Sequence, residues 1–110
     1  VTLRQAQDRR ANATRGEAKI VVAGETLRLR PSFAALVAAE EELGPLFALV
    51  ERAAEGELRL GELVTLFWHC LDPKPEGLTR ERFGEGVAAQ GLANVTPALK
   101  TILSQILQGR

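Results

Sequence analysis

The chain has no methionine and no tyrosine, and only one cysteine, one histidine and one tryptophan among its 110 residues. Each scarcity closes off some chemistry. A metal centre of the usual kinds needs three or four convergent ligands from His, Cys and carboxylates. His69 and Cys70 are the only soft ligands, and neighbours on a helix point about 100° apart. They do not share an ion. A nucleophilic Cys70 would need a base and an orienting group, and the one histidine is next door on the wrong face. Cys70 therefore reads as a small buried hydrophobe. His69 reads as a structural or surface residue with Asp72, three positions on, as its nearest carboxylate.

One cysteine also excludes an intramolecular disulfide and fits a reducing compartment. No apolar run reaches the ~18 residues of a membrane span, the longest candidate being LVTLFWHCL. No secretory leader pattern opens the sequence. A cytoplasmic protein is expected. Since methionine is missing, Val1 is read as something other than an intact translation start.

An excess of one charge is lacking too. Fourteen basic and fourteen acidic side chains cancel, so no global field draws the chain to nucleic acid or an anionic membrane. Arg4, Arg9, Arg10 and Arg15 against Asp8 give the first sixteen residues a net +3. A solvated tail is expected there ahead of a nucleic-acid contact. Residues 1–14 are polar and without sustained period, and they read as a disordered or vector-derived tail. Residues 15–110 read as a single domain, a size that buries a core with little to spare.

What is present is a change of period. Ala18, Ile20 and Val22 alternate with Lys19 and Val21, and Leu27 and Leu29 alternate with Arg28 and Arg30. Ala23 and Gly24 lie between, which predicts a tight hairpin with one aliphatic and one charged face. Pro31 stops the second strand, and Ser32 is placed to cap a helix. That helix is expected to present Phe33, Leu36, Val37 and Leu43 along one side and to end at Gly44. A second helix follows Pro45 with Leu46, Leu49, Val50 and Ala53 inward. A third, carrying Leu63, Leu66, Phe67, Cys70 and Leu71, is apolar nearly all round and is expected at the centre. Thr79 caps a fourth, in which Gly84 and Gly86 each cost about 1 kcal/mol relative to alanine. Gly84, Ala88 and Gly91 form a smooth side suited to close helix approach. Thr96 and Pro97 open a fifth with Leu99, Ile102, Leu103, Ile106 and Leu107 at helical spacing. The fold class is α+β, mostly α: an N-terminal hairpin followed by about five short helices.

No catalytic constellation emerges. Glu40, Glu41 and Glu42 fan around a helix and do not converge, although Glu40 continues the apolar stripe towards the core margin. Gly84-Glu-Gly86 has no P-loop lysine and follows no strand. Lys19, Arg28 and Arg30 share a hairpin face without interleaved aromatics, which disfavours a nucleic-acid surface. What is left is binding through backbone and apolar surface. A two-stranded hairpin has two edges to which another chain can add a strand. Val21, Arg28 and Arg30 are the candidate contact residues on it. Trp68, between Phe67 and His69, joins them as a tryptophan placed to point away from the core. No catalytic residue, metal or cofactor is assigned.

The strings TRGEAKIVVAGETLRLRPSFAALVAAEEELG and ALVERAAEGELRLGELVTLFWHCL resemble a small gene-transfer-agent protein family of phage origin. Arg15, Gly16, Glu17, Gly24, Leu27, Leu29, Glu41 and Gly44 fit its pattern, while Phe33 and Leu36 stand where members carry small or aliphatic residues. GLTRERFGEGVAAQGLANVTPALKTILSQIL is similar to the family's closing helices. The resemblance covers about Asn12 to Leu107 and rests on structural positions, not catalytic ones.

That family carries the name tail tube and is grouped with tail assembly chaperones, which coat the helical tape-measure protein. The resemblance implies a tail assembly protein. Tape-measure or other tail proteins are then the expected partners, with homo-oligomers forming through the hairpin edges. The chaperone role is the expectation, because one hairpin supplies too little sheet to wall a channel. The alternatives are a structural tail component and a small regulatory or nucleic-acid-binding module.

Overall fold

The computed structural model describes residues 17–108; the expected tail, residues 1–14, lies outside them. Strands β1 (Ala18–Val22) and β2 (Glu25–Leu29) pair antiparallel, with Ala18 opposite Leu29 and Val22 opposite Glu25. Ala23 (φ 53) and Gly24 (φ 81) both take the left-handed conformation that a two-residue hairpin turn requires. Alternation then sorts the side chains. Ala18, Ile20, Val22, Leu27 and Leu29 are buried, while Lys19, Val21, Thr26 and Arg28 face outward.

Five helices follow among the described residues: α1 (Phe33–Leu43), α2 (Leu46–Ala54), α3 (Leu60–Cys70), α4 (Arg80–Gln90) and α5 (Leu92–Gln108). The fold is α+β and mostly helical, as the sequence predicts. Ser32 Oγ accepts from Ala35 N at 3.2 Å and Thr79 Oγ1 from Arg82 N at 3.1 Å, satisfying first-turn donors that no carbonyl reaches. Gly44 (φ 82) ends α1.

Leu63, Leu66, Phe67 and Cys70 make α3 the centre of the core, which also takes in the inner hairpin face, Phe83, Val87 and Ile102. Helix α1 lies along α3, and α4 and α5 cover β1. Helices α2 and α3 are clamped by Arg52, whose Nη1 and Nη2 donate to Glu62 Oε1 (2.8 Å) and Oε2 (2.7 Å). Glu62 Oε1 also accepts from Arg59 N at 3.0 Å, closing the start of α3.

Several expectations are corrected. Phe33 is 85% exposed and Val37 is also exposed, whereas Ala39 is the buried residue of α1, flanked by half-buried Ala35, Leu36 and Leu43. Alanines let α1 approach α3 closely, so the inward face centres on Ala39 with Ala35, Leu36 and Leu43 beside it, and Phe33 and Val37 turn out. Glu40 stands in solvent beyond the core margin, and its Oε2 accepts from Leu46 N (3.2 Å) at the start of α2.

The last helix begins at Leu92, so Pro97 lies inside it. The proline removes one early backbone bond, and the neighbouring turns are tied by Thr96 Oγ1 donating to Leu92 O (2.7 Å) and Thr101 Oγ1 to Pro97 O (3.1 Å). Its buried stripe is Val95, Ala98 and Ile102, with Leu107 exposed. Of the smooth side expected on α4, Gly84 faces Val64 of α3, whereas Ala88 is exposed and Gly91 faces Asn94. The tighter approach is at Gly86, against Val22 of β1.

Candidate interaction surface

The chain leaving α3 turns onto the hairpin. Leu71 bridges Leu29, Arg30 N donates to Cys70 O at 2.6 Å, and Asp72 N donates to Arg28 O at 3.1 Å. Arg28 Nε donates to Asp72 O (3.0 Å), and Arg30 Nη1 lies 3.4 Å from Asp72 Oδ2. This latch covers the half of the β2 edge nearest Pro31. The outer edge of β1 receives no backbone hydrogen bond from another element among the described residues. Among the described residues the hairpin thus keeps the β1 edge and the turn-side half of the β2 edge open, where two full edges were expected.

The four candidate contact residues sit in different settings. Val21 is 40% exposed on the outer hairpin face. Arg28 and Arg30 point to the same side of the molecule but are engaged by Asp72, with buried Glu17 3.9 Å from Arg30 Nε. Trp68 is half-buried on α3, its ring 5.9 Å from that of Phe83, with Lys74 Nζ 5.5 Å and the Arg80 guanidinium 5.9 Å from its centroid. Cations over an indole face are attracted by its quadrupole.

Arg80 is fixed there by Glu42, to which Nη1 and Nη2 donate at 2.8 and 2.9 Å. Glu42 Oε2 also meets His69 Nε2. The Arg80 hydrogen bond, aided by that of His69, pulls the half-exposed Glu42 carboxyl down to about 2. His69 therefore pairs across to α1, and the partner three residues on, Asp72, is taken by the hairpin arginines. Arg52 does the same to Glu62 as Arg80 does to Glu42, holding it at about 2.

Between α1 and the latch lies an open basin of about 370 Å³, lined by Arg30, Ala35, Ala38, His69, Asp72 and Lys74. Cys70 belongs to its wall, and burial pushes the thiol up to about 12. A thiol held so high is no thiolate nucleophile at neutral pH. Among the described residues no group of three His, Cys, Asp or Glu is placed to hold a metal ion, and no helix is long and apolar enough to cross a membrane.

Several large exposed apolar side chains are ones that periodicity assigned inward or passed over, among them Phe33 (85%), Phe47 (68%), Leu107 (55%), Leu92 (54%) and Leu60 (45%). The last two form lips of an apolar groove of about 150 Å³ between the starts of α3 and α5, walled further by Leu58, Leu63, Val95 and Leu99. Its halves are some thirty residues apart in sequence, so no local pattern announces it. Phe33 and Phe47 had a weak signal, each standing in the first turn of a helix beside the loop. These features offer apolar surface suited to protein contact.

No curated protein and no solved structure matches the chain. A family model described as phage tail tube protein, GTA-gp10 matches residues 15–109. That span takes in the hairpin, the latch, the groove and all five helices, and the chain belongs to this phage tail tube protein family.

Proposed function

We propose that the protein is a structural subunit of the tail of a phage-like gene transfer particle, working by contact with other tail proteins and not by catalysis. The observation that carries this is the family match over residues 15–109. The exposed chemistry agrees with it: apolar side chains on helix faces, and one unpaired strand edge among the described residues. In this reading Val21 contacts a neighbouring subunit, with Arg28, Arg30 and Trp68 on the rim. Residues 15–110 act as one domain behind a short basic tail, and the protein passes from the cytoplasm of the producing bacterium into the particle. Mass spectrometry of purified particles tests it. Many copies per particle are expected, and absence from particles that are otherwise complete overturns it.

A second reading keeps one observation in its favour. The sheet has two strands of five residues each, too little to build a continuous wall around a channel. A tail assembly chaperone that holds the tape-measure protein needs no such wall. Co-expression separates the two readings: a chaperone co-purifies with the tape-measure protein and keeps it soluble, whereas a tail subunit does neither.

A further inference from the structure

Residues 33, 37 and 41 recur every four positions and so share one face of α1. Phe33 is 85% exposed, Val37 39% exposed, and Glu41 is exposed with no ion pair to a described residue. Its neighbours differ: Glu40 caps α2 and Glu42 holds Arg80 and His69. The face is thus an apolar stripe ending in an uncommitted carboxylate.

The groove between α3 and α5 is its complement. Leu63 and Val95 are buried beneath exposed lips at Leu60 and Leu92. Arg59 on its wall is exposed and makes no ion pair with a described residue. Phe33 to Glu41 is eight residue steps of helix, about 12 Å, and Leu92 to Leu99 is seven, about 10 Å. The stripe and the α5 wall of the groove match in polarity and in length, and Glu41 on the one is opposite in sign to Arg59 on the lining of the other.

We infer that the Phe33–Val37–Glu41 face of one copy seats in the groove of a second copy, with Phe33 among the leucines and Glu41 against Arg59. The two surfaces lie on different helices, so the contact is head-to-tail. Each copy offers one surface and accepts on the other, and the contact continues into a ring or a filament instead of stopping at a symmetric pair. This deepens the tail-subunit reading, and because its test uses purified protein, it stands or falls separately from the detection of the protein in particles.

The test is analytical ultracentrifugation of the full chain and of Phe33→Asp and Leu92→Asp, alone and mixed. Both positions are exposed, and circular dichroism checks that each variant keeps its helices. The wild type is expected to form species larger than a dimer as concentration rises. Each variant alone is expected to stay monomeric, while an equimolar mixture forms a 1:1 pair through the one stripe and one groove still intact. Glu41→Arg and Arg59→Glu, each weakening assembly about tenfold, should restore it in the double variant, a readout that folding defects do not mimic. A wild type that stays monomeric at every concentration, a symmetric dimer, or a mixture that fails to pair overturns the inference. So does assembly that Phe47→Asp abolishes and Phe33→Asp leaves intact.

Discussion

Gly86 of α4 lies so close to Val22 of β1 that a methyl group in place of the glycine hydrogen would overlap Val22 Cγ1. Helix and strand are in contact there with only the Val22 side chain between them. Alanine at 86 would gain about 1 kcal/mol of helix propensity, but overpacking a core against a stiff, β-branched neighbour costs about 1–3 kcal/mol. Gly86→Ala is therefore expected to lower the melting temperature. At Gly84 the added carbon would sit 3.3 Å from Val64 Cγ1, a contact that a half-buried side chain relieves, so Gly84→Ala is expected to be nearly neutral. Thermal melts of the two variants decide it; a Gly86→Ala protein as stable as the parent would refute the close approach.

The Glu42–Arg80 and Glu62–Arg52 pairs make stability depend on acid. Both carboxyls titrate at about 2 in the folded chain against an ordinary 4.5. Groups whose folded pKa is depressed contribute fully above the unfolded value and lose that contribution as pH falls through the folded one. The melting temperature is expected to hold above about pH 5 and to fall steadily towards about pH 2. Glu42→Gln and Glu62→Gln should each flatten part of that slope. Because the pairs are partly exposed, salt should shrink the effect as well. A profile in the double variant as steep as that of the parent would contradict the assignment.

Cys70 is buried and its thiol stands at about 12. Native protein at about pH 8 is expected to resist iodoacetamide and to react fully once unfolded. Mass spectrometry reads the difference, and rapid labelling of the folded chain would show that the basin beside α1 reaches deeper than described.

Asp72 serves two arginines at once, Arg28 and Arg30. Asp72→Ala should cost no more than about 1 kcal/mol, since all three side chains are about half exposed. Its clearer mark should be faster hydrogen exchange at the backbone amides of positions 30 and 72, the two donors of the latch. Exchange unchanged at both would mean that the backbone bridge holds without the ion pairs.

The hairpin is legible in the sequence because its signals are local. Alternation chooses the inner face, and Ala23-Gly24 chooses the turn. Caps at Ser32 and Thr79, and the all-round apolarity of α3, are legible for the same reason. The orientation of α1 is not. Phe33 outweighs Ala35 and Ala39 in any count of hydrophobicity, yet close packing on α3 favours small side chains, and the aromatic ring is left outside. Pro97 misplaces the start of α5 because proline is common at a first turn, and nothing in the sequence says that a turn already precedes it. His69 has Asp72 nearby on the chain and Glu42 nearby in space; only the fold brings α1 alongside α3. The groove, assembled from residues 58–63 and 92–99, has no local signature at all.

The strand bridge at Leu71 has a consequence for growth. Since the chain itself occupies the Pro31 half of the second strand's border, sheet extension between molecules is expected to favour the first strand. Two hairpins joined in that way leave a third only the short uncovered half of each second strand. A longer series would then be threaded through helical contacts, with the pleated part of the protein acting as a terminus more readily than as a link.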